Sequence, residues 1–370
     1  MHRRFRLGSA ILPLLLLIAS CGGGDDDGDA SALATTTTSE TPAPGATEDA
    51  TEEAEANDTE VDDTGAAAED TVADEPQTAT DEAEVDDGET VVALDEQAAF
   101  ALLSLDIAPD VVLTTLSSET FARLNEQLGI ESVEFVIAEP SFELLAGLQP
   151  DVLVSIGSPW VVDRVDDFEQ VAPLVVAPVD VTWQEQLTAF ASQLDAVDRA
   201  DAVIAAVDGF EADVASALAT AGAGGTSISV LTARVGNIVA VNSGGAIGQL
   251  LLGVGLDRPE PQLSEGVPGI PFDFISDEVL SEHDADVLVV AQAAIFDVEP
   301  LVSSPIYEQL SVVQRGDTHD VVADAWVLGG HGFATFWLLQ DLSDLLVDGG
   351  APATLDDTEA RWASFLELLG

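Results

Sequence analysis

The chain of 370 residues contains no lysine and a single cysteine, and each shortage removes several classes of function. All ten basic residues are arginines, against 69 acidic residues, so the formal net charge is -59. Because nucleic-acid binding needs many basic side chains to neutralise phosphates, we expect no nucleic-acid partner. The absence of lysine excludes Schiff-base chemistry and a P-loop. With Cys21 alone, disulfides, a cysteine-based zinc site and a cysteine protease are excluded as well.

Residues 1–21 have the pattern of a secretory signal. Arg3, Arg4 and Arg6 precede an apolar run at 10–19, which is too short to span a bilayer, since a spanning helix needs about 20 apolar residues. The segment ends in small residues before Cys21, and there it resembles a bacterial lipoprotein signal peptide. The resemblance implies that Cys21 is lipid-modified, which would place the protein outside the cytoplasm and anchor it to the cell membrane.

Residues 22–90 are rich in Asp, Glu, Thr and Ala and contain no arginine and no aromatic residue. Such a segment cannot bury enough apolar surface to offset the entropy lost on ordering, and its like charges repel one another. We therefore predict a disordered acidic tether that acts as a spacer between the anchor and the folded part.

From residue 91 onward, short apolar runs alternate with helix-like segments, which favours α/β lobes with parallel central sheets covered on both faces. The predicted strands are residues 91–94, 111–114, 152–156, 174–177, 228–232, 238–241 and 287–290. The predicted helices include residues 97–105, 120–128, 142–148, 246–252 and 278–282. A longer apolar stripe over 183–219 predicts a helical spine between two lobes, with a bend near 195–198.

One internal repeat supports two related lobes. Ser141, Glu143 and Leu145, followed by Asp151-Val152-Leu153-Val154, match the pattern S-x-E-x-L-x5-D-V-L-V, and the same pattern returns from Ser276 to Val289 with Glu278. Each serine is expected to cap a helix, each glutamate to complement the helix dipole in the first turn, and each leucine to face the core. The last four residues of the pattern are expected to enter a buried strand.

Several blocks follow one another in order between residues 91 and 347. They are Glu139-Pro140-Ser141-Phe142-Glu143 with Asp151-Val152-Leu153-Val154, Leu251-Leu252-Gly253-Val254-Gly255-Leu256-Asp257-Arg258-Pro259, Ile275-Ser276-Asp277-Glu278 with Asp286-Val287, and Tyr307-Glu308-Gln309-Leu310-Ser311-Val312-Val313-Gln314-Arg315-Gly316 before the aromatic-rich helix at 333–346. In these blocks and their order the chain resembles the substrate-binding lipoproteins of ABC importers for iron-siderophores, haem and cobalamin, which are periplasmic-binding proteins with a helical interlobe connection.

The resemblance implies two Rossmann-like lobes joined by a long rigid interlobe helix, with a ligand cleft between them. It also implies that one glutamate on each lobe tip, Glu143 and Glu278, pairs with arginines of a membrane permease. Acids at two repeated positions suit a two-fold partner, although complementing a helix dipole would explain each acid without any partner.

Ligands of open α/β sheets bind beyond the carboxyl ends of the strands. We expect the loops at those ends to supply the ligand-binding residues, namely Trp160, Arg164, Arg234, Asn242, Trp326 and His331. Aromatic walls with one or two cations suit a bulky, partly apolar chelate that is anionic or rich in oxygen. Each of these residues also has a structural interpretation, as part of the core or in an ion pair.

Other chemistry has weaker support in the sequence. Only His283, His319 and His331 follow the signal segment, so we expect neither a direct metal site nor a bound cofactor. Haem could be held through Tyr307 or His331. No G-x-S-x-G, H-E-x-x-H or dinucleotide G-x-G-x-x-G motif occurs, so we do not expect an enzyme.

We therefore expect a monomeric binding protein that captures a ferric-siderophore-type ligand and delivers it to an ABC permease and its ATPase. The predicted segments are the signal peptide at 1–21, the tether at 22–90, the first lobe at 91–179, the spine at 180–223 and the second lobe at 224–370. Binding of cobalamin or haem, or ligand sensing without transport, remains an alternative.

Overall fold

The first lobe is built on a parallel sheet with the strand order β3-β2-β1-β4-β5. The computed structural model describes residues 88–114, 118–135, 141–179, 181–267 and 270–370, all of which lie in the compact unit Pro76–Gly370. The strands are β1 (Val91–Ala93), β2 (Val111–Thr114), β3 (Glu131–Glu134), β4 (Val152–Ile156) and β5 (Leu174–Ala177). Their Val-, Leu- and Ile-rich runs are mostly buried on both faces, as parallel sheets require. Strand β3 is the exception, because it is largely exposed at the sheet edge and its polar sequence gave no strand signal.

Helices alternate with these strands, and the first three of them begin at capping side chains. They are α1 (Glu96–Ser104), α2 (Glu119–Leu128), α3 (Phe142–Leu148), α4 (Pro159–Val162) and α5 (Val165–Glu169). Asp95, Ser118 and Ser141 each accept a hydrogen bond from an amide in the first turn of the helix that follows. These caps satisfy amides that have no partner within the helix, so they fix where each helix starts.

The predicted spine consists of two helices, α6 (Trp183–Gln193) and α7 (Val197–Ala221). They are separated at Asp195, which adopts a positive φ of 50°, at the place where the sequence predicted a bend. Helix α7 carries the chain from one lobe to the other. At its start Arg199 donates a hydrogen bond to the Ser104 carbonyl of the first lobe, and beyond its end the Gly225 amide donates to the Gly255 carbonyl of the second.

The second lobe contains a mixed sheet with the order β10-β9-β6-β7-β8. Its strands are β6 (Ile228–Arg234), β7 (Asn237–Val241), β8 (Phe272–Ile275), β9 (Val287–Gln292) and β10 (Thr318–Val322). The sequence predicted a parallel sheet, but β7 runs antiparallel to both β6 and β8, so this sheet is mixed. Only Val235 and Gly236 separate β6 from β7, and both have positive φ values, so the connection is a tight hairpin. A parallel crossover would need a dozen or more residues.

The remaining helices cover the second sheet and return to the first lobe. They are α8 (Ala246–Gly253), α9 (Glu299–Val302), α10 (Ser311–Arg315), α11 (Ala323–Trp326), α12 (Gly332–Leu346) and α13 (Thr358–Leu369), with 3-10 segments at Glu260–Leu263, Asp277–His283, Tyr307–Gln309 and Leu355–Asp357. Helix α13 packs against α2 and α7, so the last residues of the chain contact the first lobe. The C-terminal helix thus contributes to the core beside the first sheet, although it follows residue 224. The domain boundary at residue 224 stays a prediction.

The repeat seen in the sequence corresponds to repeated structure. Strand β1 pairs with β4 through Val91 and Val152, and β6 pairs with β9 through Ile228 and Val287, both in parallel. In both copies, the aspartate directly before the second strand of the pair accepts a hydrogen bond from the backbone amide directly before the first strand. The Thr90 amide donates to Asp151 Oδ2 at 2.7 Å, and the Ser227 amide donates to Asp286 Oδ2 at 3.0 Å.

The two copies differ at the predicted helix. Leu145 and Leu280 are both fully buried, as expected. Ser141 caps α3 through its side chain, whereas the segment Asp277–His283 is a 3-10 helix without a side-chain cap at Ser276. The expected serine cap is therefore wrong in the second copy. In the 3-10 geometry the Val279 amide donates to the Ser276 carbonyl, so that amide needs no hydroxyl acceptor.

Candidate ligand crevice and lobe tips

The carboxyl edges of the two sheets face each other. Asp324, which follows β10, accepts hydrogen bonds from the Ser118 hydroxyl and from the Thr120 amide and hydroxyl, at 2.8, 2.8 and 2.6 Å. Ser118 and Thr120 begin the helix that follows β2. In the opposite direction, Glu119 Oε2 accepts a hydrogen bond from the Ala294 amide beyond β9 at 2.9 Å. Loops at the carboxyl ends of strands in one lobe therefore contact the corresponding loops of the other.

These contacts join one half of the crevice between the lobes. Strand β2 lies on one side of the central strand β1, and β9 and β10 lie on one side of the central strand β6. Since β2 meets β9 and β10, we infer that β4 and β5 face β7 and β8 across the other half. We call this other half the open half of the crevice. It is bordered by residues 157–164 after β4, by residues 178–179 and 181–182 beyond β5, and by the β6–β7 hairpin with β8.

Exposed apolar side chains occur on the elements that border the open half. Val162 after β4 is 49% exposed, and Phe274 on β8 is 57% exposed. The ring of Phe274 packs edge-on against Phe272 with centroids 5.6 Å apart, so the two phenylalanines form an aromatic wall on the edge strand. Grouped apolar exposure of this kind is typical of a binding surface. The sequence analysis predicted neither strand β8 nor a binding role for its phenylalanines. The alternation of apolar and polar residues in Phe272-Asp273-Phe274-Ile275 is nevertheless typical of a strand.

Two of the predicted binding residues are arginines at this half of the crevice. Arg164 is the exposed residue between α4 and α5, and Arg234 ends β6 directly before the hairpin turn. Arg234 is half-buried and stands opposite Asn237 in the β6–β7 register. The two lobes thus contribute one guanidinium each.

Trp160 lies in α4, directly after β4, and is half-buried. Its ring packs against Phe135 and Phe168, each with a centroid distance of 5.9 Å. The indole is therefore part of the apolar cluster on the outer face of the first sheet, with a fraction of its surface still accessible. Trp160 lies beside the carboxyl end of β4, where the sequence analysis expected a loop that supplies ligand-binding residues.

Asn242 and Trp326 are fully buried, and their polar atoms are used inside the protein. The Asn242 amide group donates to the Ile270 carbonyl and to Asp273, and its oxygen accepts from the Gly244 amide. Trp326 Nε1 donates to Asp341 Oδ2 at 2.9 Å. Burial raises the pKa of Asp341 to about 6, although the Trp326 hydrogen bond opposes the shift. In this structure neither side chain offers a free polar atom to a ligand.

His331 lies between the lobes but is also enclosed. Its Nδ1 accepts a hydrogen bond from the Ala334 amide and so caps α12, and its ring stacks on Phe100 with centroids 4.2 Å apart. Burial lowers the pKa of His331 to about 3, so the ring is neutral. The histidine borders a cavity of about 10 Å³ with Gln97 and Trp183, which has room for one water molecule.

Glu143 and Glu278 are both exposed. Helix α3 returns through Gln149–Asp151 to the start of β4, so its first turn with Glu143 lies at the carboxyl edge of the first sheet. Glu278 occupies the equivalent place before β9, in the first turn of its 3-10 segment. The structure therefore puts the repeated acids at corresponding tips of the two lobes.

The described ranges contain neither a metal-binding cluster nor a membrane-spanning helix. No group of three or more His, Cys, Asp or Glu side chains is arranged to hold a metal ion within them. None of the helices in the same ranges is long and apolar enough to cross a bilayer. Cys21 and Glu139 fall on residues that the structure does not describe.

Comparison with known proteins identifies the class. Residues 91–320 match the family model described as periplasmic binding protein, and the chain belongs to that family. It is 26% identical over 266 residues to the probable siderophore-binding lipoprotein YfiY of Bacillus subtilis, covering 68% of this chain and 80% of that protein.

Solved structures show the same fold. SirA of Staphylococcus aureus superposes with a TM-score of 0.59 at 19% identity, covering 69% of this chain and 97% of that one. The siderophore periplasmic binding protein from the fuscachelin gene cluster of Thermobifida fusca gives a TM-score of 0.58 at 19% identity, covering 73% and 99%. The protein is thus a two-lobed α/β solute-binding protein, and the expected fold and family are confirmed.

Proposed function

We propose that this protein is the extracytoplasmic solute-binding component of an ABC importer, which captures a ferric-siderophore-type ligand and delivers it to a membrane permease. The observation that carries the proposal is the pair of carboxyl edges that meet at β2, β9 and β10, with Phe274, Arg164 and Arg234 on the elements that border the other half of the crevice. A crevice at the carboxyl ends of strands is where open α/β sheets bind ligands.

The relatives support the ligand class. The Bacillus subtilis relative is described as a siderophore-binding lipoprotein, SirA was solved with staphyloferrin B, and FhuD2 of Staphylococcus aureus with ferrioxamine B. VctP of Vibrio cholerae is described as a catecholate-siderophore binding protein. These ligands differ chemically, so the shared fold favours siderophores as a class without selecting one.

In the proposed mechanism, the open half of the crevice receives the ligand. Trp160 and Phe274 contact its apolar parts, while Arg164 and Arg234 bind its oxygen atoms. The contacts around Asp324, together with α7, restrict the relative motion of the lobes, so capture needs only a modest closure. Trp326 and His331 are buried and act by shaping the crevice, whereas Asn242 lies at the opposite edge of its sheet, because β7 runs antiparallel to β6.

Delivery and anchoring complete the proposal. Glu143 and Glu278 at the two lobe tips dock on arginines of the permease, whose ATPase drives transport. Lipid modification at Cys21 holds the protein at the cell membrane, and the acidic segment at 22–90 acts as a spacer between this anchor and the folded part. The protein acts as a monomer, without a cofactor of its own.

The experiment is a titration of tryptophan fluorescence and of binding heat with ferric siderophores, haem and cobalamin. We expect saturable binding of at least one ferric siderophore at micromolar or lower concentration and no binding of haem or cobalamin. The iron-free siderophore is the matched control for each chelate. Tight binding of haem or cobalamin instead would select those ligands, and failure of every compound would contradict the import function.

A further inference from the structure

Two buried side chains lie between strands β6 and β7, towards the edge of the second sheet that is opposite the crevice. The backbone register of the two strands ends one step before Val230 and Val241. There the Val230 amide donates to Gln262 Oε1 at 3.2 Å, and the Val241 carbonyl accepts from Arg258 Nη2 at 2.7 Å. Arg258 Nη2 also donates to Gln262 Oε1, so the two side chains replace one rung of the backbone ladder.

The amide group of Gln262 has all its hydrogen-bonding capacity in use. Its oxygen is identified by its partners, because the Val230 amide and Arg258 are both donors. The amide nitrogen therefore faces the other two partners, and it donates to Ser229 Oγ at 2.8 Å and to His283 Nδ1 at 3.0 Å. It follows that His283 Nδ1 is an acceptor and that the neutral ring carries its proton on Nε2.

The surroundings of His283 favour this neutral form. The residue is buried, and burial followed by the charge of Arg258 lowers the pKa of His283, although Asp273 opposes the shift. A protonated ring would turn Nδ1 into a donor directed at the amide hydrogens of Gln262. The network thus matches the charge state that its environment stabilises.

His283 connects this network to the tip of the second lobe. It is the last residue of the 3-10 segment Asp277–His283, whose first turn carries the exposed Glu278 and which has no side-chain cap at Ser276. Runs of 3-10 helix longer than three or four residues are uncommon, because their hydrogen bonds are poorly aligned. A segment of this kind needs contacts outside itself, and its buried residues Leu280 and His283 provide them.

The corresponding tip of the first lobe is held differently. There the repeat forms helix α3, which Ser141 caps, and Leu148 takes the place that His283 has in the second copy. Leu148 packs against the apolar cluster on the outer face of the first sheet. The polar contact to Gln262 thus belongs to the copy whose tip is not a capped α-helix.

We infer that His283, held by Gln262, is a positioning residue that fixes the tip of the second lobe and so determines where Glu278 is presented to the permease. This inference rests on the proposed docking function of the two tips. The attraction between charges depends on their distance, so a docking acid is effective only if its segment is held in one place. His283 itself is buried and takes no part in docking.

Nitrogen NMR of the imidazole in the wild-type chain tests the network directly. At about pH 7 we expect His283 to be neutral, with its proton on Nε2. A ring protonated at Nδ1 would overturn the inference, because that atom could then not accept from Gln262.

Hydrogen exchange of the ligand-free chain measures the tip itself. His283→Leu gives the second tip the residue of the first but removes the acceptor. The amides of Asp277–His283 should then exchange at least about tenfold faster, while those of β6 and β9 keep their wild-type rates. His283→Asn should restore the protection, since its side-chain oxygen can accept where Nδ1 did. Glu282→Gln, at an exposed position of the same segment, is the matched control.

A second variant covers the case in which His283→Leu does not fold. In Gln262→Glu the carboxylate still accepts from Val230 and Arg258 but offers no hydrogen to His283 Nδ1. The bridge between the strands is thus retained while the contact to the tip is lost. The same faster exchange of Asp277–His283 is expected, and circular dichroism checks the fold of every variant.

Uptake of radioactive iron by cells links the tip to docking. The probes are the ferric complexes of ferrioxamine B and staphyloferrin B, with which FhuD2 and SirA were solved. His283→Leu should bind a probe as the wild type does but support about tenfold less uptake, because a displaced acid loses its charge pair at the interface. His283→Asn should recover uptake. A general loss of structure would instead lower binding and uptake together.

The inference is overturned if the tip amides of His283→Leu exchange as in the wild type, or if His283→Asn restores nothing. It is also overturned if His283→Leu supports normal uptake while the Glu143→Arg, Glu278→Arg double variant supports none. Normal uptake by the double variant contradicts the docking proposal instead. If the wild type takes up neither probe, import of these two compounds fails and the exchange rates decide whether His283 holds the tip.

Discussion

The carboxylate of Asp324 in the second lobe accepts hydrogen bonds from both the backbone amide and the hydroxyl of Thr120 in the first lobe, at 2.8 and 2.6 Å. Both residues are buried, and the same oxygen also accepts from the Ser118 hydroxyl. An acid from one lobe thus satisfies an amide in the first turn of a helix in the other. The two lobes depend on each other for the start of α2.

This contact predicts that Asp324→Ala is strongly destabilising. The substitution leaves a buried amide and a buried hydroxyl without an acceptor, and each such loss costs about 1 to 3 kcal/mol. We expect a total loss of about 2 to 6 kcal/mol in the free energy of unfolding, measured in urea. Asp356→Ala is the control, because it removes an exposed ion pair. Equal stability of the two variants would contradict the role of Asp324.

Two helical glycines are predicted to respond in opposite directions to alanine. A Cβ at Gly209 in α7 would meet no atom within 4 Å, so Gly209→Ala should gain about 1 kcal/mol from helix propensity. A Cβ at Gly248 in α8 would overlap the Asn242 carbonyl oxygen and lie 2.6 Å from the Cα of Ser243.

Because those atoms belong to the backbone, they cannot move aside without distorting the segment after β7. Gly248→Ala should therefore lower the melting temperature, whereas Gly209→Ala should raise it. Thermal unfolding of both variants in one buffer provides the comparison. A Gly248→Ala protein as stable as the wild type would show that α8 does not pack this closely.

His331 predicts a loss of stability in acid. Its pKa falls from 6.5 in the unfolded chain to about 3 in the folded protein because the ring is buried. The unfolded state therefore binds the proton more tightly, so the stability that the neutral ring contributes is complete above about pH 6.5 and is lost as the pH falls towards 3.

Asp95 and Asp341 act in the opposite sense. Burial raises the pKa of each to about 6, so their contribution is complete below the unfolded value of 3.8 and is lost as the pH rises through 6. The His331→Asn variant separates the effects, since asparagine is a good helix cap without a titrating ring.

Between about pH 7.5 and pH 5, the variant should lose about 2 kcal/mol less stability than the wild type. Urea unfolding at the two pH values measures the difference. Parallel pH profiles for the two proteins would refute the assignment to His331.

The docking proposal predicts a specific transport defect. Charge reversal at the exposed residues Glu143 and Glu278 should abolish uptake of the radiolabelled ferric ligand by cells, because like charges would then face the permease. Ligand affinity of the purified variant should remain unchanged. Reversal of Glu169 and Glu308, which are also exposed, is the control and should preserve uptake. Normal uptake in the Glu143→Arg, Glu278→Arg double variant would rule out this docking mode.

The anchor proposal predicts that wild-type cells incorporate radioactive palmitate into this protein and that Cys21→Ala abolishes the label. The variant should also lose its association with the membrane fraction, because several buried acyl chains are needed for stable attachment. The control is Ser20→Ala, which keeps the cysteine and a small residue before it. An unlabelled wild-type protein would contradict the lipidation.

The sequence alone determined the alternation of strands and helices, the repeat with its two acids, and the bend in the spine. These features depend on local patterns, namely apolar runs, caps and periodicity, which neighbouring residues fix. For this reason the sequence predicted most of the fold. Strand β3 was not predicted, because its pairing with β2 and not its composition makes it a strand. The direction of β7 was not predicted either, because a tight hairpin joins it to β6.

Only the tertiary structure decided which loop residues face the crevice. Asn242 lies at the opposite edge of its sheet because β7 runs antiparallel to β6. Trp326 and His331 follow a strand or precede a helix just as Arg164 and Arg234 do, yet packing from other parts of the chain encloses them. The same long-range packing brings Asp324 to Thr120 and α13 to the first lobe, over sequence separations that no local pattern encodes. Local sequence fixes which elements form because their signals lie within a few residues, whereas accessibility is decided by what the rest of the chain places on top of them.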